Sequence, residues 1–228
     1  MSQDSADDDG RGPAPAIAFR QCIPSDVSAC ARMAEEAWPA DPSTFAKLRD
    51  LAGLEGYMAY SLARSNWTDI ACVDAIPAGF LFGRIDGLPG IEAPSQHPLG
   101  ELPWAVGSML RARRDAPSLL RFLWNLELTD MKLMLNMPRA DATIEMFIVG
   151  AEHRGKGLGT MLLDRFVGKA VGAGSTKVTV YTDDMLSNWQ FYERKGFKRI
   201  GSFYDNITSY YSKKHCRGMV YSLDVKPG

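Results

Sequence analysis

Strand-like and helix-like stretches alternate along this 228-residue sequence, which predicts an α/β (α+β) chain with a central sheet flanked by helices. The stretch from Thr143 to about Val171 carries most of that prediction. Thr143 to Val149 is a short apolar run rich in Ile, Phe and Val and reads as a buried strand. A polar turn follows, then Arg154-Gly155-Lys156-Gly157-Leu158-Gly159, and then Leu158, Met161, Leu162, Phe166 and Val167 at helical spacing. Further strand-like runs lie on both sides, separated by helical stretches. At 46% hydrophobic residues the chain has ample material for one sizeable core.

In chain order, residues 1–14 are rich in Asp, Ser, Gly and Pro without periodicity and read as a disordered acidic tail, ahead of a single domain over 15–228. Ala16 to Cys22 alternates as a first strand. Pro24-Ser25-Asp26 starts a helix carrying Val27, Cys30, Ala34 and Trp38. A second helical stretch follows Asp41-Pro42-Ser43 and runs to Leu62, weakened by Gly53 and Gly56. Trp67 to Val73 and Ala78 to Ile85 form a hairpin around Asp74 to Pro77. After the glycine turn and its helix come a strand at Lys177 to Thr182 and a short helix at Asn188 to Lys195. Two closing strands, Phe197 to Tyr204 and Arg217 to Val225, flank a polar loop from Asp205 to Cys216.

Composition narrows the function. Net charge is -1, with -3 in residues 1 to 12 and therefore +2 elsewhere, so nucleic acid is not an expected partner. Cys22, Cys30, Cys72 and Cys216 lack the paired spacing of zinc or redox sites and read as reduced core thiols of a cytoplasmic protein. His97, His153 and His215 show no metal-ligand grouping, so no metal is expected. No segment reads as a signal peptide or a membrane span.

A strand, a glycine-rich turn and a helix aim backbone N–H groups and the positive end of a helix dipole at one point, which suits an anion. Two nucleotide motifs fail on spacing. Gly150 to Lys156 matches the P-loop, but Gly157 stands where that loop needs a Ser or Thr for magnesium. The dinucleotide fingerprint needs its third glycine three residues after the second, whereas Gly159 follows Gly157 by two. What remains, Arg-Gly-x-Gly-x-Gly at the head of a helix, resembles the acyl-CoA pyrophosphate loop of the GCN5-related N-acetyltransferase (GNAT) family. Ser187-Asn188-Trp189-Gln190-Phe191-Tyr192-Glu193-Arg194-Lys195-Gly196-Phe197 is similar to that family's later motif, and the two blocks stand in the family's order. The resemblance spans 143–203; before that only the order of elements agrees.

The resemblance implies a mixed, twisted sheet whose fourth and fifth strands splay apart to admit acetyl-CoA as co-substrate. The activity it implies is transfer of acetyl to a primary amine, on a small molecule or a peptide, by direct attack in a ternary complex. A non-catalytic acyl-CoA-binding or protein-interaction module on the same fold is the alternative. Backbone amides of Arg154, Gly155, Lys156, Gly157, Leu158, Gly159 and Thr160 would hold the pyrophosphate, with charge from Arg154 and Lys156. The backbone of Phe147, Ile148 and Val149 would pair with the pantetheine amides as an added strand. Tyr192 stands where the family has its usual general acid. Glu145, a carboxylate inside an apolar strand, is the candidate base; strict alternation puts it on the face of Phe147 and Val149, a face that a strand bulge would change. Asp183 and Asp184 compete with it, or else cap a turn. Many family members have an Asn seven residues before the Tyr, where this chain has Met185. Asn188, four before, is left to contact the cofactor or to cap the short helix.

Residues 87–141 depart from the family pattern and read as an insertion between the third and fourth strands. Gly87 to Pro103 looks like loop, and Trp104 to Met137 like two helices divided at Asp115 to Ser118, where Asp115 or Ser118 would cap the second. That second helix is apolar on more than one face and must be covered. Packing on the domain's own core is the plain reading. A lid over the acceptor pocket, a homodimer interface and shallow membrane contact are the sharper ones, membrane contact being the least expected.

Overall fold

The computed structural model describes residues 15–38, 58, 61–89 and 116–226. The tail at 1–14, most of the second helical stretch and the first helix of the insertion lie outside those residues. The described elements are β1 (Ile17–Arg20), α1 (Val27–Ala37), β2 (Trp67–Val73), β3 (Ile76–Ile85), α2 (Ala116–Asn136), β4 (Ala142–Val149), α3 (Leu158–Gly172), β5 (Lys177–Asp183), α4 (Trp189–Arg194), β6 (Lys198–Tyr204), α5 (Asn206–Ser212) and β7 (Arg217–Asp224). The strands form one seven-stranded sheet in the order β1-β2-β3-β4-β5-β7-β6, antiparallel except for the β4–β5 pair. It is the mixed sheet expected, with helices on both faces.

Each strand face finds its own core. On one face Leu81, Ile85, Ala142, Ile144, Val178 and Val180 pack with Leu158, Leu162, Leu163 and Phe166 of α3. On the other, Phe80, Phe82, Met146 and Ile148 pack with Cys30, Met33 and Ala34 of α1 and with Met58. α3 is seated where β3 has no side chain: a Cβ on Gly83 would come within 2.5 Å of the Phe166 ring and 2.8 Å of the Thr143 carbonyl. The hairpin between β2 and β3 turns through Asp74 and Ala75, both at positive φ, as a two-residue turn matched to strand twist requires.

α1 starts after Pro24-Ser25-Asp26 as expected, with Asp26 in the cap position; its carboxylate accepts from Ile23 N (2.9 Å) and from Arg20 Nη1 and Nη2 (2.6 and 2.7 Å), and the Arg20 hydrogen bonds hold it below the usual carboxylate range. One expectation changes. The segment expected as a loop from Asp205 to Cys216 contains α5. Its sequence is poor in strong helix formers, but buried Asp205 caps it by accepting from Thr208 N at 3.0 Å. Thr129 of α2 adds a second anchor, accepting from Asn206 N and Ile207 N at 3.1 Å each. α2 thus docks across β6 and α5, with Lys132 Nζ donating to the Tyr204 carbonyl at 3.2 Å. The α2 residues Trp124, Met131, Met134 and Leu135 stay exposed. Among the described residues no helix is long and apolar enough to cross a membrane.

Candidate active site

The parallel pair β4–β5 is joined only at its start, where Ala142, Thr143 and Ile144 face Val178, Thr179 and Val180. The Thr143 and Thr179 hydroxyls share a 3.2 Å hydrogen bond there. Beyond it β5 keeps pairing with β7 to Asp183, and β4 keeps pairing with β3 to Val149, but the two strands no longer pair with each other. A bulge accompanies the parting. The β3–β4 register steps from Phe82↔Met146 to Gly83↔Ile144, leaving Glu145 as the extra residue, and a bulge bends its strand and increases the local twist.

The bulge corrects the face assigned to Glu145. Ile144, Phe147 and Val149 belong to the α3 side of the sheet, while Met146 and Ile148 belong to the α1 side. Glu145 does not share the face of Phe147 and Val149. Its carboxylate accepts from Arg64 Nε at 3.1 Å, next to Leu62 of the α1-side core. Burial pushes this carboxyl above the usual range, and Arg64, then Arg84, pull it back.

After Val149 the chain passes a 3-10 turn (Ala151–His153) and enters α3 through Gly155 at φ +74° and Gly157 at φ +85°. These two glycines are needed for backbone conformation. A Cβ on either would meet nothing within 4 Å, so open space faces both. The first N–H groups of α3 lack intrahelical partners, as at any helix N-terminus. Arg154 closes the turn by donating from Nε to the Val149 carbonyl at 3.0 Å, and Lys156 is exposed.

The two sequence motifs meet at the open end of β4. A Cβ on Gly159 would touch Phe147 and Val149 at 3.5 Å, and Phe147 contacts the Phe191 ring edge-on at 5.6 Å. Tyr192 lies next to Phe191, its ring enclosed by Phe191, Phe197 and Tyr221. Tyr192 is buried, and its hydroxyl makes no hydrogen bond to a described residue. Burial raises its pKa far above the ordinary tyrosine value, which keeps the proton on.

The other candidates have structural work. Asp183 Oδ1 accepts from Met185 N and Leu186 N (2.8 and 2.5 Å), the turn-capping role weighed against catalysis, and burial raises its pKa. Asp184 Oδ1 accepts from Arg217 N at 2.8 Å. Asn188 occupies the cap position of α4, yet its side chain makes no capping hydrogen bond. Cys216, remote from both motifs in sequence, lies with Sγ 3.8 Å from Asp183 Oδ1; burial and the carboxylates of Asp183, Asp205 and Asp184 push its thiol up, so it is not poised as a thiolate. Among the described residues no group of His, Cys, Asp and Glu could hold a metal.

The model of the acetyltransferase (GNAT) family matches residues 120–197. Over that segment, about a third of the chain, the sequence is similar to the GNAT acetyltransferases. The fold of the chain is shared with solved N-acetyltransferases. The ribosomal-protein-S18-alanine N-acetyltransferase of Escherichia coli aligns with TM-score 0.54 at 12% identity, over 93% of this chain and 96% of that one. A GCN5-related N-acetyltransferase of Rhodopseudomonas palustris gives 0.52 at 15%, over 95% and 100%. An N-acetyltransferase of Staphylococcus aureus Mu50 gives 0.51 at 15%, over 92% and 99%. At these identities the likeness is one of fold. No curated protein matches the chain in sequence. Acyl transfer from acetyl-CoA is the chemistry of the GNAT family.

Sequence reasoning missed Arg64, the ion-pair partner of Glu145. Arg64 pairs with a residue 81 positions away, and no motif announces such a pairing. The one legible signal was Glu145 itself, a charge in an apolar strand that calls for a partner.

Proposed function

We propose that this GNAT domain, spanning 15–228 with 87–141 as an insertion, moves an acetyl group from acetyl-CoA to a primary amine by direct attack in a ternary complex. The observation that carries the reading is the parting of β4 from β5 after Ile144 and Val180, with the glycine turn and Tyr192 both at the open end. An extended acyl-CoA arm fits there as an added strand against Phe147, Ile148 and Val149. Arg154 to Thr160 would take the pyrophosphate on backbone N–H groups, and Asn188, free of a cap, is available to the cofactor. The four free thiols fit a reducing, cytoplasmic setting.

In the reaction the amine nitrogen bonds to the acetyl carbon and the carbon–sulfur bond breaks. The surplus amine proton passes to Glu145, directly or through water, and Tyr192 hydrogen-bonds the departing sulfur and supplies its proton. A buried thiol at Cys216 supports direct attack over a cysteine relay.

Thiol release from acetyl-CoA across a panel of amines tests the activity, and mass spectrometry of the enzyme after acetyl-CoA alone tests for a covalent acetyl intermediate. The base is tested by the pH profile of kcat/KM. A base works ionised, so its contribution rises with pH through its pKa. With burial raising the Glu145 pKa, that rise lies above the ordinary glutamate range. Glu145→Gln should remove it while Asp183→Asn and Asp184→Asn leave it in place. A flat response at Glu145 and a steep one at either aspartate would reassign the base.

A further inference from the structure

Tyr192 stands on α4, a helix of six residues, too short to be stable on its own backbone hydrogen bonds. Its cap residue Asn188 adds no side-chain hydrogen bond. Lys195 reaches Asp164 of α3 only at 4.0 Å, with that carboxylate exposed, and such surface pairs hold little. Tyr221 of β7 grips the helix twice. Its hydroxyl donates to Glu193 Oε1 at 3.0 Å, with Met219 Sδ a weaker alternative at 3.9 Å. Its ring stacks against the Tyr192 ring, with centroids 6.3 Å apart and planes 28° apart. Tyr221 is itself fully buried on an inner strand, paired with Val180 of β5 and Arg199 of β6, and so provides a fixed point.

Successive residues of a helix are rotated by about 100°. Holding Tyr192 by its ring and Glu193 by its carboxylate therefore fixes both where α4 lies and how it is turned about its own axis. That turn aims the Tyr192 hydroxyl, which has no hydrogen bond to a described residue to aim it. We propose that Tyr221 is a positioning residue for Tyr192, acting through Glu193 and through the ring contact. The proposal rests on the reading of Tyr192 as proton donor for its catalytic meaning, while the positioning itself is tested separately.

Ordinary burial of a tyrosine would account for the ring contact and for a partner at the hydroxyl. It would not make the setting of Tyr192 depend on Glu193, an exposed residue whose removal leaves the apolar packing in place. A general acid must reach hydrogen-bond distance of the atom it protonates, so a loosened α4 should slow the reaction and leave cofactor binding alone.

The experiment labels tyrosine Cζ with carbon-13 in the full chain and assigns Tyr192 by its loss in Tyr192→Phe. Tyr221→Phe and Glu193→Ala should each shift or broaden the Tyr192 resonance, whereas Glu193→Gln, which keeps an oxygen to accept, should leave it near wild type. In the same two variants kcat should fall by roughly tenfold to a hundredfold at little changed acetyl-CoA KM, and the fall should be absent on a Tyr192→Phe background. An unmoved Tyr192 resonance in Glu193→Ala would overturn the proposal, and so would an equal fall in kcat with and without the Tyr192 hydroxyl, which marks general loosening. If Tyr221→Phe does not fold, the Glu193 pair decides it. If Tyr192→Phe alone leaves kcat unchanged, the proton-donor reading falls, and the resonances still decide whether Tyr221 positions Tyr192.

Discussion

The two faces of β4 do different work. On the α3 side, Phe147 and Val149 meet α3 and Phe191, and the proposed anion site would use backbone N–H groups, glycine and a helix terminus. On the α1 side, the bulge turns Glu145 toward Arg64, and the site is made of charges from separate segments. The first face uses neighbours in sequence, the second only neighbours in space. One strand can carry both because a single extra residue reverses which side its next side chain occupies.

The sharpest test of the α3-side face is Tyr192→Phe. Removing the hydroxyl and keeping the ring should lower kcat by roughly a hundredfold to ten-thousandfold, the range for a general acid, with acetyl-CoA affinity little changed. An unchanged kcat would reduce Tyr192 to packing among Phe191, Phe197 and Tyr221.

Gly157→Asp comes next. A carboxylate in the open space beside the turn should weaken CoA binding by more than about tenfold, ~1.4 kcal/mol, measured by calorimetry without magnesium. Gly157→Ala, sharing the strain of φ +85°, separates charge from backbone cost. Equal affinity in Gly157→Asp and wild type would remove the anion site.

Gly83→Ala probes the sealed part of the sheet. Its Cβ would press on Phe166 and the Thr143 carbonyl, and such overpacking costs about 1–3 kcal/mol. The melting temperature should fall while CoA affinity at the remaining folded fraction holds. A loss of affinity without a loss of stability would mean that the closed and open halves of β4 are not independent.

The smallest effect is expected at the outer face of α2. Replacing exposed Trp124 and Leu135 by Ser should change stability by no more than about 0.5 kcal/mol per site. Light scattering and acceptor KM, measured together, read the role of this face. A fall in mass would make it a subunit interface, and a raised KM at constant mass would make it a cover for the acceptor.

The glycine turn and its helix were legible because they depend on φ at Gly155 and Gly157 and on local apolar spacing, both written in consecutive residues. The strand order before and after it was legible for the same reason, as was Tyr192 within its motif. The face of Glu145 was not, since alternation is a local rule and the bulge that breaks it is decided by pairing with β3. The helix at Asn206–Ser212 was read as loop because its own residues favour helix weakly, and what holds it is Asp205 together with Thr129 from an element 77 positions earlier.

By itself, the sequence determined the α/β class, the strand β4 and the glycine turn that opens α3, because backbone conformation and amphipathic spacing act over a few residues. Only the tertiary structure decided where β4 leaves β5 and that Arg64 meets Glu145. Charges interact through distance in space, and a chain brings distant positions together only when the sheet between them has formed.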